Sequence, residues 1–337
     1  MNEKIRFAIV GFGNIGRRHA EHIMQNPSTQ LVAVCDKDAS VQSKIPGYIP
    51  FYTDLQEMLQ QVKADMLCVC TPNYLHEPHT IAGLQAGLHT VVEKPMAMSV
   101  AECDRMIAAA EKSGKIIFAV KQNRYNPPVQ ALKNLIANGE LGKIYMLQVN
   151  CFWNRGDAYY AESNWRGTKD KDGGCLFTQF SHFVDILYYL NGKITSAYGW
   201  LHNYGHQHNT EVEDTGSFVL KGANDTIINF NFTTCAYDRN MEGSITFFAE
   251  KGTVKIGGQY LNTIEYQKLE AVTLPPINIT AKANDYGLYQ GSMSNHDKII
   301  QNVVDVLHHN QPVMTSAEEG REVVSIIEQM YSGAVKV

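Results

Sequence analysis

The chain has 337 residues, of which 44% are hydrophobic and 19% are charged, and its formal net charge is −5. This composition is typical of a soluble globular protein that is long enough for two domains. The absence of basic clusters argues against a nucleic acid as the main partner, and no apolar run is long enough to span a bilayer. Because the N-terminus has no signal-peptide pattern, we expect a cytoplasmic protein.

The first part of the chain alternates short β-branched runs with helical stretches, which is typical of βαβ units. Strands are predicted at residues 5–10, 31–35, 66–70, 90–93 and 116–120, and helices at 16–25, 54–61, 76–86 and 100–113. Gly87 and Gly114 stand where helices commonly end. The pattern predicts an α/β domain with a parallel sheet over residues 1–121.

The pattern changes after residue 121, where strands outnumber helices. Strands are predicted at residues 143–152, 194–201, 216–220, 226–233, 243–249 and 253–256, and helices at 129–138 and 183–190. A capped helix of about 316–331 begins at Ser316 and could pack back on the first domain. Residues 122–337 are therefore predicted to form an α+β domain with a large, mostly antiparallel open sheet.

A glycine-rich turn directly follows the first predicted strand. Gly11, Gly13 and Gly16 form the pattern G-x-G-x-x-G, with Phe12, Asn14 and Ile15 between them. The first glycine allows a tight turn, the second lets the backbone approach a pyrophosphate, and the third lets helix and strand pack closely. This context predicts a Rossmann domain that binds a dinucleotide.

The end of the second predicted strand indicates which dinucleotide is bound. Asp36 stands 20 residues after Gly16, where a carboxylate can accept hydrogen bonds from both ribose hydroxyls and repel a 2′-phosphate. This favours NAD over NADP. Lys37 could meet a phosphate, but we favour its interpretation as an exposed loop charge.

Two further strand ends carry polar groups toward the same edge of the sheet. Thr71, Pro72 and Asn73, followed by His76, could line the nicotinamide half of the site, although Asn73 could also be a helix N-cap. The run Glu93-Lys94-Pro95 closes the fourth strand. Its charged pair is either a solvated strand end or the chemical centre of the protein.

These segments resemble those of the family of glucose-fructose oxidoreductase, inositol dehydrogenase and rhizopine catabolism proteins (Gfo/Idh/MocA). The matching segments are Thr71-Pro72-Asn73 with His76, Glu93-Lys94-Pro95, Asp172-Gly173-Gly174 and His182-Phe183-Val184-Asp185. The resemblance covers nearly the whole chain. It implies a Rossmann domain, an open-sheet domain, a dimer or tetramer built by packing those sheets face to face, and a cis bond between Lys94 and Pro95.

A narrower resemblance is to the UDP-N-acetylglucosaminuronate 3-dehydrogenases of bacterial surface-polysaccharide synthesis. It is carried by residues 121–126, 142–146, 165–168, 179–182, 211–215 and 242–245. It implies NAD-dependent oxidation of the sugar 3-hydroxyl to a keto group for a following aminotransferase, and it adds Gln122 and Trp165 to the expected cofactor contacts. Thr178 departs from the wider family, which commonly has Asp four residues before the histidine.

The residues of these segments also suit an anionic nucleotide sugar on their own chemistry. Arg155 and Arg166 lie in an aromatic loop, and arginine presents a rigid fork for a carboxylate or diphosphate. For Trp153 and Tyr159 in the same loop we favour an anchoring role in the core. The predicted substrate contacts are Asn123, Tyr160, Arg166, Gln179 and Ser181.

Oxidation of a hydroxyl requires a base, and histidine titrates near neutrality. We therefore predict that His182 accepts the proton, while the Lys94 ammonium stabilises the developing alkoxide. Lys94 could be the base only if its pKa were lowered. Asp185, one helical turn after His182, could hold that histidine or cap local structure.

Other titratable residues receive structural interpretations. His202, His206 and His208 are predicted to lie in a surface loop, and His19 and His22 on a solvated helix face. The seven scattered cysteines, including Cys68 and Cys70 on one strand face, are expected to be buried small hydrophobic residues, so neither a disulfide framework nor a metal is predicted. Two other functions stay open: a dehydrogenase of a free sugar or inositol, and a regulator that binds dinucleotide without turnover.

Overall fold

The structure is a computed structural model that describes residues 3–277, 283–285, 287 and 290–336. The chain divides into two compact units. The first contains Met1–Lys121 and His296–Val324, and the second contains Gln122–Asn295 and Ser325–Val337. Residues 296–324 thus group with the first unit, although the sequence pattern placed them in the second domain. Among the described residues, no helix combines the length and the apolar character needed to cross a membrane.

The first unit is built around a six-stranded sheet in which all strands are parallel. Its strands, in chain order, are β1 (Ile5–Val10), β2 (Thr29–Cys35), β3 (Phe51–Tyr52), β4 (Met66–Val69), β5 (His89–Val92) and β6 (Ile117–Ala119). Its helices before residue 121 are α1 (Asn14–Gln25), α2 (Leu55–Gln61), α3 (His76–Gln85) and α4 (Val100–Ser113). The spatial order β3-β2-β1-β4-β5-β6 confirms the predicted Rossmann domain.

Local sequence explains where these elements begin and end. The side chains of Asp54 and Ser99 accept hydrogen bonds from the amides of Glu57 and Glu102, which caps the first turns of α2 and α4. Gly114 has φ 65°, a left-handed conformation that ends α4 at little steric cost. Strand β3 was not predicted because two residues are too short to show an alternating pattern.

The strand order creates a crevice at the carboxyl edge of this sheet. Phe7, Ile9 and Val10 of β1 are buried, as expected for a strand covered on both faces. The order of the strands reverses between β1 and β4, so the loops that follow these strands diverge to opposite faces and leave a crevice. The glycine loop and the Thr71–Asn73 segment are these two loops.

The second unit is built around an eight-stranded sheet with helices on one face. Its elements up to residue 293 are α5 (Pro127–Ala137), β7 (Ile144–Phe152), α6 (Asp157–Ala161), α7 (Cys175–Thr178), α8 (Ser181–Asn191), β8 (Ile194–His202), β9 (Thr215–Gly222), β10 (Ile227–Thr233), β11 (Glu242–Ala249), β12 (Gly252–Gly257), β13 (Thr263–Leu269), β14 (Ala283–Asp285) and β15 (Gln290–Met293). The remaining elements of the chain are α9 (His296–His309), α10 (Ala317–Ser332) and β16 (Ala334–Lys336).

The strand order in the large sheet is β13-β12-β11-β7-β10-β9-β8-β16. Only the pairs β7–β10 and β8–β16 are parallel, which confirms the predicted mostly antiparallel sheet. Helix α8 packs on one face, and Gly243 of β11 allows this close approach because a Cβ there would lie 2.7 Å from the Phe183 ring. The opposite face exposes Tyr198, Trp200 and Val219.

Two helices, α9 and α10, precede the last described strand, β16. Helix α10 begins with the predicted capping box, in which Ser316 Oγ accepts from the Glu319 amide and Glu319 Oε2 accepts from the Ser316 amide, both at 3.3 Å. Helix α9 was not predicted. Its buried residues Ile299, Val303 and Val306 recur at helical spacing, so the periodic pattern that identifies it is present in the sequence.

Candidate active site

The glycine loop has the shape that a pyrophosphate requires. Gly11 has φ 88°, and a Cβ on it would lie 2.6 Å from the carbonyl oxygen of Cys70. A Cβ on Gly16 would lie 2.0 Å from the Gly11 oxygen, whereas one on Gly13 would meet no atom within 4 Å. The first and third glycines are therefore needed for packing inside the loop, and the second leaves open space beside the N-terminus of α1. The loop fits a dinucleotide.

Asp36 connects the end of β2 to this loop. Its Oδ2 accepts a hydrogen bond from the Phe12 amide at 2.6 Å, and its Oδ1 accepts one from the Asp38 amide at 2.9 Å. The half-buried carboxylate is thus fixed beside the glycine turn, as expected for a group that recognises the ribose hydroxyls. Lys37 is exposed, and Asn14 of α1 accepts a hydrogen bond from Arg17, whereas Ile15 continues the first turn of that helix.

The Thr71–His76 segment is held to the turn that follows Lys94. His76 is buried, with Nδ1 2.6 Å from the Pro95 oxygen and Nε2 2.8 Å from the Thr71 oxygen. Burial lowers the pKa of His76. Asn73 is also buried and begins a short 3₁₀ turn, in which Pro72, not Asn73, occupies the N-cap position. His76 therefore positions the backbone of the predicted cofactor site.

The Glu93-Lys94-Pro95 run is not a solvated strand end. Glu93 is buried, Lys94 is half-buried, and the bond between Lys94 and Pro95 is cis, as the family resemblance implied. Glu93 Oε1 lies 2.8 Å from His19 Nε2. The predicted solvated face for His19 is wrong, because its ring is fully buried against the sheet, and His22 is half-buried.

In the second unit, a short 3₁₀ turn (Gln122–Tyr125) carries two of the predicted contacts. The Gln122 amide donates to Ser292 Oγ at 2.8 Å. Both amide atoms of Asn123 are buried and have no hydrogen-bond partner among the residues that the structure describes, and the same holds for Ser181 Oγ. A buried polar atom without a partner costs free energy, so these groups indicate a place where a polar ligand binds.

Helix α8 carries His182 and the turn before it carries Gln179. His182 is buried in the second unit, and Gln179 Nε2 donates to the Tyr159 hydroxyl at 2.6 Å. Asp185 has a role that neither sequence alternative foresaw, because its carboxylate forms a buried salt bridge with Arg124, with Nη2 and Oδ1 2.8 Å apart. Sequence reasoning missed Arg124, although it stands next to Asn123 in a segment that carried the resemblance.

Thr178, which stands where the wider family commonly has Asp, has a structural role in this chain. Its hydroxyl donates a hydrogen bond to the Asp172 carboxylate, which also accepts from the Gly167 amide at 2.5 Å. Gly173 and Gly174, with φ of 84° and 115°, form the predicted glycine turn between these two residues. Thr178 therefore belongs to a hydrogen-bonded turn that supports α7.

The aromatic loop before α7 is mostly core. Trp153 is buried and donates to the Gln259 oxygen, which agrees with its predicted anchoring role, and the buried Tyr159 lies under the Arg166 guanidinium at 4.3 Å. Tyr160, predicted to touch substrate, is buried with its ring 5.0 Å from that of His206, and burial raises its pKa. Arg166 donates to the Tyr159 oxygen and pairs with Glu162.

The remaining members of this loop lie on its two sides. Arg155 is buried and donates to Asn240 Oδ1 at 3.1 Å, and its guanidinium carbon lies 5.1 Å from the Trp153 ring centre. Trp165 is half-buried, 5.7 Å from the Arg166 guanidinium carbon. Arg155 thus supports the second unit from inside, whereas Arg166 lies nearer the surface.

Several structural interpretations of histidines and cysteines need correction. His202 belongs to β8, and His206 is buried, with Nδ1 3.1 Å from Asp214 Oδ2 and 3.7 Å from the sulfur of Cys235. Cys235 is exposed, whereas the other six cysteines are buried as expected. Asp214 also accepts hydrogen bonds from the Tyr204 and Gly205 amides. This hydrogen bonding accounts for the grouping of the three side chains.

Comparison with known proteins identifies the family. Residues 5–121 match the oxidoreductase family described as GFO/IDH/MocA, NAD-binding Rossmann fold, and residues 129–255 match the GFO/IDH/MocA C-terminal domain. The structure is similar to that of the WlbA dehydrogenase from Bordetella pertussis, crystallised in complex with NADH and UDP-GlcNAcA. The TM-score is 0.88 at 34% identity, over 98% of this chain and 96% of that one.

Two curated relatives are dehydrogenases named for a glucoside and for myo-inositol. A D-glucoside 3-dehydrogenase of Escherichia coli (strain K12) is 32% identical over 56% of this chain and 54% of that enzyme. A myo-inositol 2-dehydrogenase of Thermotoga maritima is 29% identical over 43% of this chain and 44% of that enzyme. The chain thus spans about half the length of each. Together with the two domain matches, these similarities show that the chain belongs to the GFO/IDH/MocA oxidoreductase family, with an NAD-binding Rossmann fold.

Proposed function

We propose that the protein is an NAD-dependent dehydrogenase that oxidises the 3-hydroxyl of UDP-N-acetylglucosaminuronic acid to a 3-keto group. The observation that carries the proposal is the similarity, over 98% of the chain, to a dehydrogenase crystallised with NADH and UDP-GlcNAcA. The buried amide of Asn123 and hydroxyl of Ser181, which have no hydrogen-bond partner within the described part of the chain, support it, because a sugar offers hydroxyl and amide groups that could bond to both.

The reaction removes a proton and a hydride from one sugar carbon. NAD, when bound, supplies the hydride acceptor. In the proposed division of roles, His182 accepts the hydroxyl proton and the Lys94 ammonium stabilises the negative charge that develops on the oxygen. Asn123, Gln179 and Ser181 orient the sugar.

Recognition of the sugar carboxylate is assigned to Arg166. Its side chain is 13% exposed and pairs with Glu162, at the surface side of the aromatic loop. A substrate carboxylate would compete with Glu162 for the same fork, so a uronic acid should bind more tightly than the corresponding neutral sugar.

A substrate comparison tests the proposal. The protein should reduce NAD fastest with UDP-N-acetylglucosaminuronic acid as the substrate. NAD reduction should be slower with UDP-N-acetylglucosamine and barely measurable with free N-acetylglucosaminuronic acid. Substrate deuterated at C3 should transfer its label to the cofactor, which fixes the position of oxidation. Label transfer from any other carbon would contradict the proposal.

The names of the two curated relatives favour a second candidate, a dehydrogenase of a free glycoside or inositol. A higher kcat/KM for methyl glucoside or myo-inositol than for the UDP-linked acid would select it. A protein that binds NAD by calorimetry, yet reduces none of it with any of these compounds, would instead be a dinucleotide-binding regulator. Cytoplasmic location, a dimer or tetramer, and a role in surface-polysaccharide synthesis remain parts of the proposal.

A further inference from the structure

His19, Glu93 and His296 form a buried group of titratable side chains next to Lys94 in the chain, and the proposed reaction does not use it. His19, from the middle of α1, contacts Glu93 at 2.8 Å, and the His296 ring of α9 meets the His19 ring edge-on with centroids 5.2 Å apart. Glu93 Oε2 also accepts a hydrogen bond from the Lys94 amide at 3.2 Å. The Glu93 carboxylate therefore joins the cofactor-loop helix to the backbone of Lys94.

The charges of His19 and Glu93 in this group oppose each other. Burial alone would lower the pKa of His19, but hydrogen bonds and the negative charges of Cys68 and Glu93 raise it to about 10. Burial opposes ionisation of Glu93, but its hydrogen bond to His19 and that positive charge hold its pKa at about 2. Burial and the charge of His19 lower the pKa of His296 to about 3, so this ring is neutral. At neutral pH, the His19 imidazolium thus offsets the Glu93 carboxylate.

We propose that His19 is a positioning residue for Lys94, which it serves by neutralising Glu93. Without the imidazolium, an uncompensated carboxylate would remain buried beside Lys94, where it would attract the Lys94 ammonium and hold its proton more tightly. With the imidazolium in place, the net negative charge that attracts the Lys94 ammonium is smaller. This inference rests on the role that the proposed function gives to Lys94.

Other groups around the pair also bear on its charge. The titratable groups that interact directly with His19 or Glu93 are His22 of α1, Cys68 of β4, Cys70 after it, Lys94, His76 of α3 and His296 of α9. Arg18 of α1 acts on His22 and His296, and Asp297 of α9 acts on His22. Cys68 is tested separately, because its hydrogen bonds to Cys70 and His19 lower the pKa of its thiol against the effect of burial. The test is therefore repeated in a Cys68→Ala background.

The test measures the titration of Lys94 directly, without substrate or turnover. The rate at which an amine-reactive reagent labels Lys94, followed by peptide mass spectrometry across pH, reports the pKa of its amine. His19→Gln should raise that pKa by about one to three units. Glu93→Gln and the double variant His19→Gln/Glu93→Gln should both titrate like the wild type, because each lacks the uncompensated carboxylate. Glu21→Gln, at an exposed position of the same helix, is the matched control and should leave the titration of Lys94 unchanged.

The outcomes separate charge balance from packing. An unshifted Lys94 in His19→Gln, or a double variant shifted as far as the single one, would overturn the proposal. If His19→Gln does not fold, adding it to Glu93→Gln must still leave the titration unchanged, and a shift there overturns the proposal as well. A protein that fails to oxidise any sugar would refute the proposed function while leaving this titration readable. In variants that turn over, the alkaline limb of kcat should move with the labelling pKa.

Discussion

Arg124 and Asp185 form a salt bridge in the interior of the second unit, with both side chains almost fully buried and Nη2 2.8 Å from Oδ1. The bridge ties the turn that carries Asn123 to the helix that carries His182. Breaking it by Asp185→Ala would leave a buried guanidinium without its carboxylate, which should cost about 3–5 kcal/mol of unfolding free energy.

A chemical-denaturation series would check this. The double variant Arg124→Met/Asp185→Leu should lose less stability than Asp185→Ala, because it leaves no isolated charge inside the protein. The exposed pair of Lys221 and Asp225 is the matched control, and Lys221→Met should have a much smaller effect, because exposed ion pairs contribute little to stability. A double variant less stable than the single one would contradict the electrostatic explanation.

Asn123 should matter for substrate and not for folding. Because both of its amide atoms are buried without a partner among the described residues, Asn123→Ala should leave the unfolding free energy unchanged within about 1 kcal/mol. It should weaken binding of the UDP sugar by about 10-fold or more in calorimetry. Asn126 is the control, since its amide bonds to the Tyr260 oxygen and to Asn295, so Asn126→Ala should be destabilising instead. Equal effects of both substitutions on stability would remove the distinction.

Substitutions of His182 and Lys94, the proposed catalytic pair, should lower kcat more than they change NAD affinity. His182→Gln should lower kcat by about 10²–10⁴-fold and remove the acid limb of its pH profile, because no base remains to accept the proton. Lys94→Met should lower kcat while NAD affinity changes little. Lys112→Met, at an exposed position on α4, is the control. Near-full turnover by His182→Ala at neutral pH would refute its assignment as the base.

Glu213 should make stability depend on pH. Burial raises the pKa of Glu213 to about 7, although its Oε1 accepts hydrogen bonds from the Tyr331 hydroxyl and the Cys175 amide. Its protonated form is favoured in the folded protein, so this contribution is complete below the ordinary value of 4.5 and is lost as pH rises through about 7.

Glu213→Gln imitates the protonated carboxyl and should remove this dependence. Relative to the variant, the wild type should lose stability between about pH 5 and 8, by at most about 3 kcal/mol. Denaturation curves at several pH values measure the difference, and Glu111→Gln on the exposed side of α4 is the control. A constant difference between wild type and Glu213→Gln across this range would show that the carboxyl does not titrate there.

The exposed face of the large sheet should mediate self-association. Tyr198, Trp200 and Val219 are more than half exposed there, and such apolar surface commonly marks an interface. Trp200→Glu should therefore lower the molar mass found by light scattering to that of a monomer. Tyr237→Glu, at a 97% exposed residue outside the strands, should leave it unchanged. A wild-type protein that is already monomeric would contradict the prediction.

The sequence predicted the cofactor half better than the substrate half for a physical reason. The glycine pattern and Asp36 lie within a short stretch and act through backbone geometry, so residue type and spacing nearly determine the loop. The role of His19 depends on Glu93, 74 positions away, and that of Arg124 on Asp185, 61 positions away. Periodicity describes one element at a time and carries no information on such partners. The burial of Tyr160 against the ring of His206 was not foreseen for the same reason, and its predicted contact with substrate stays a prediction.

The grouping of His296–Val324 with the first unit has a consequence for how the molecule is taken apart. The pattern of residues 1–121 predicts a complete nucleotide-binding module, yet the surface of α1 that contains His19 is covered by the ring of His296 in α9, which is synthesised after most of the second unit. During translation, His19 and Glu93 therefore lack the cover of the His296 ring until most strands of the second sheet have been synthesised. A fragment that ends at residue 121 would therefore form a dinucleotide-binding unit that lacks the helix covering His19.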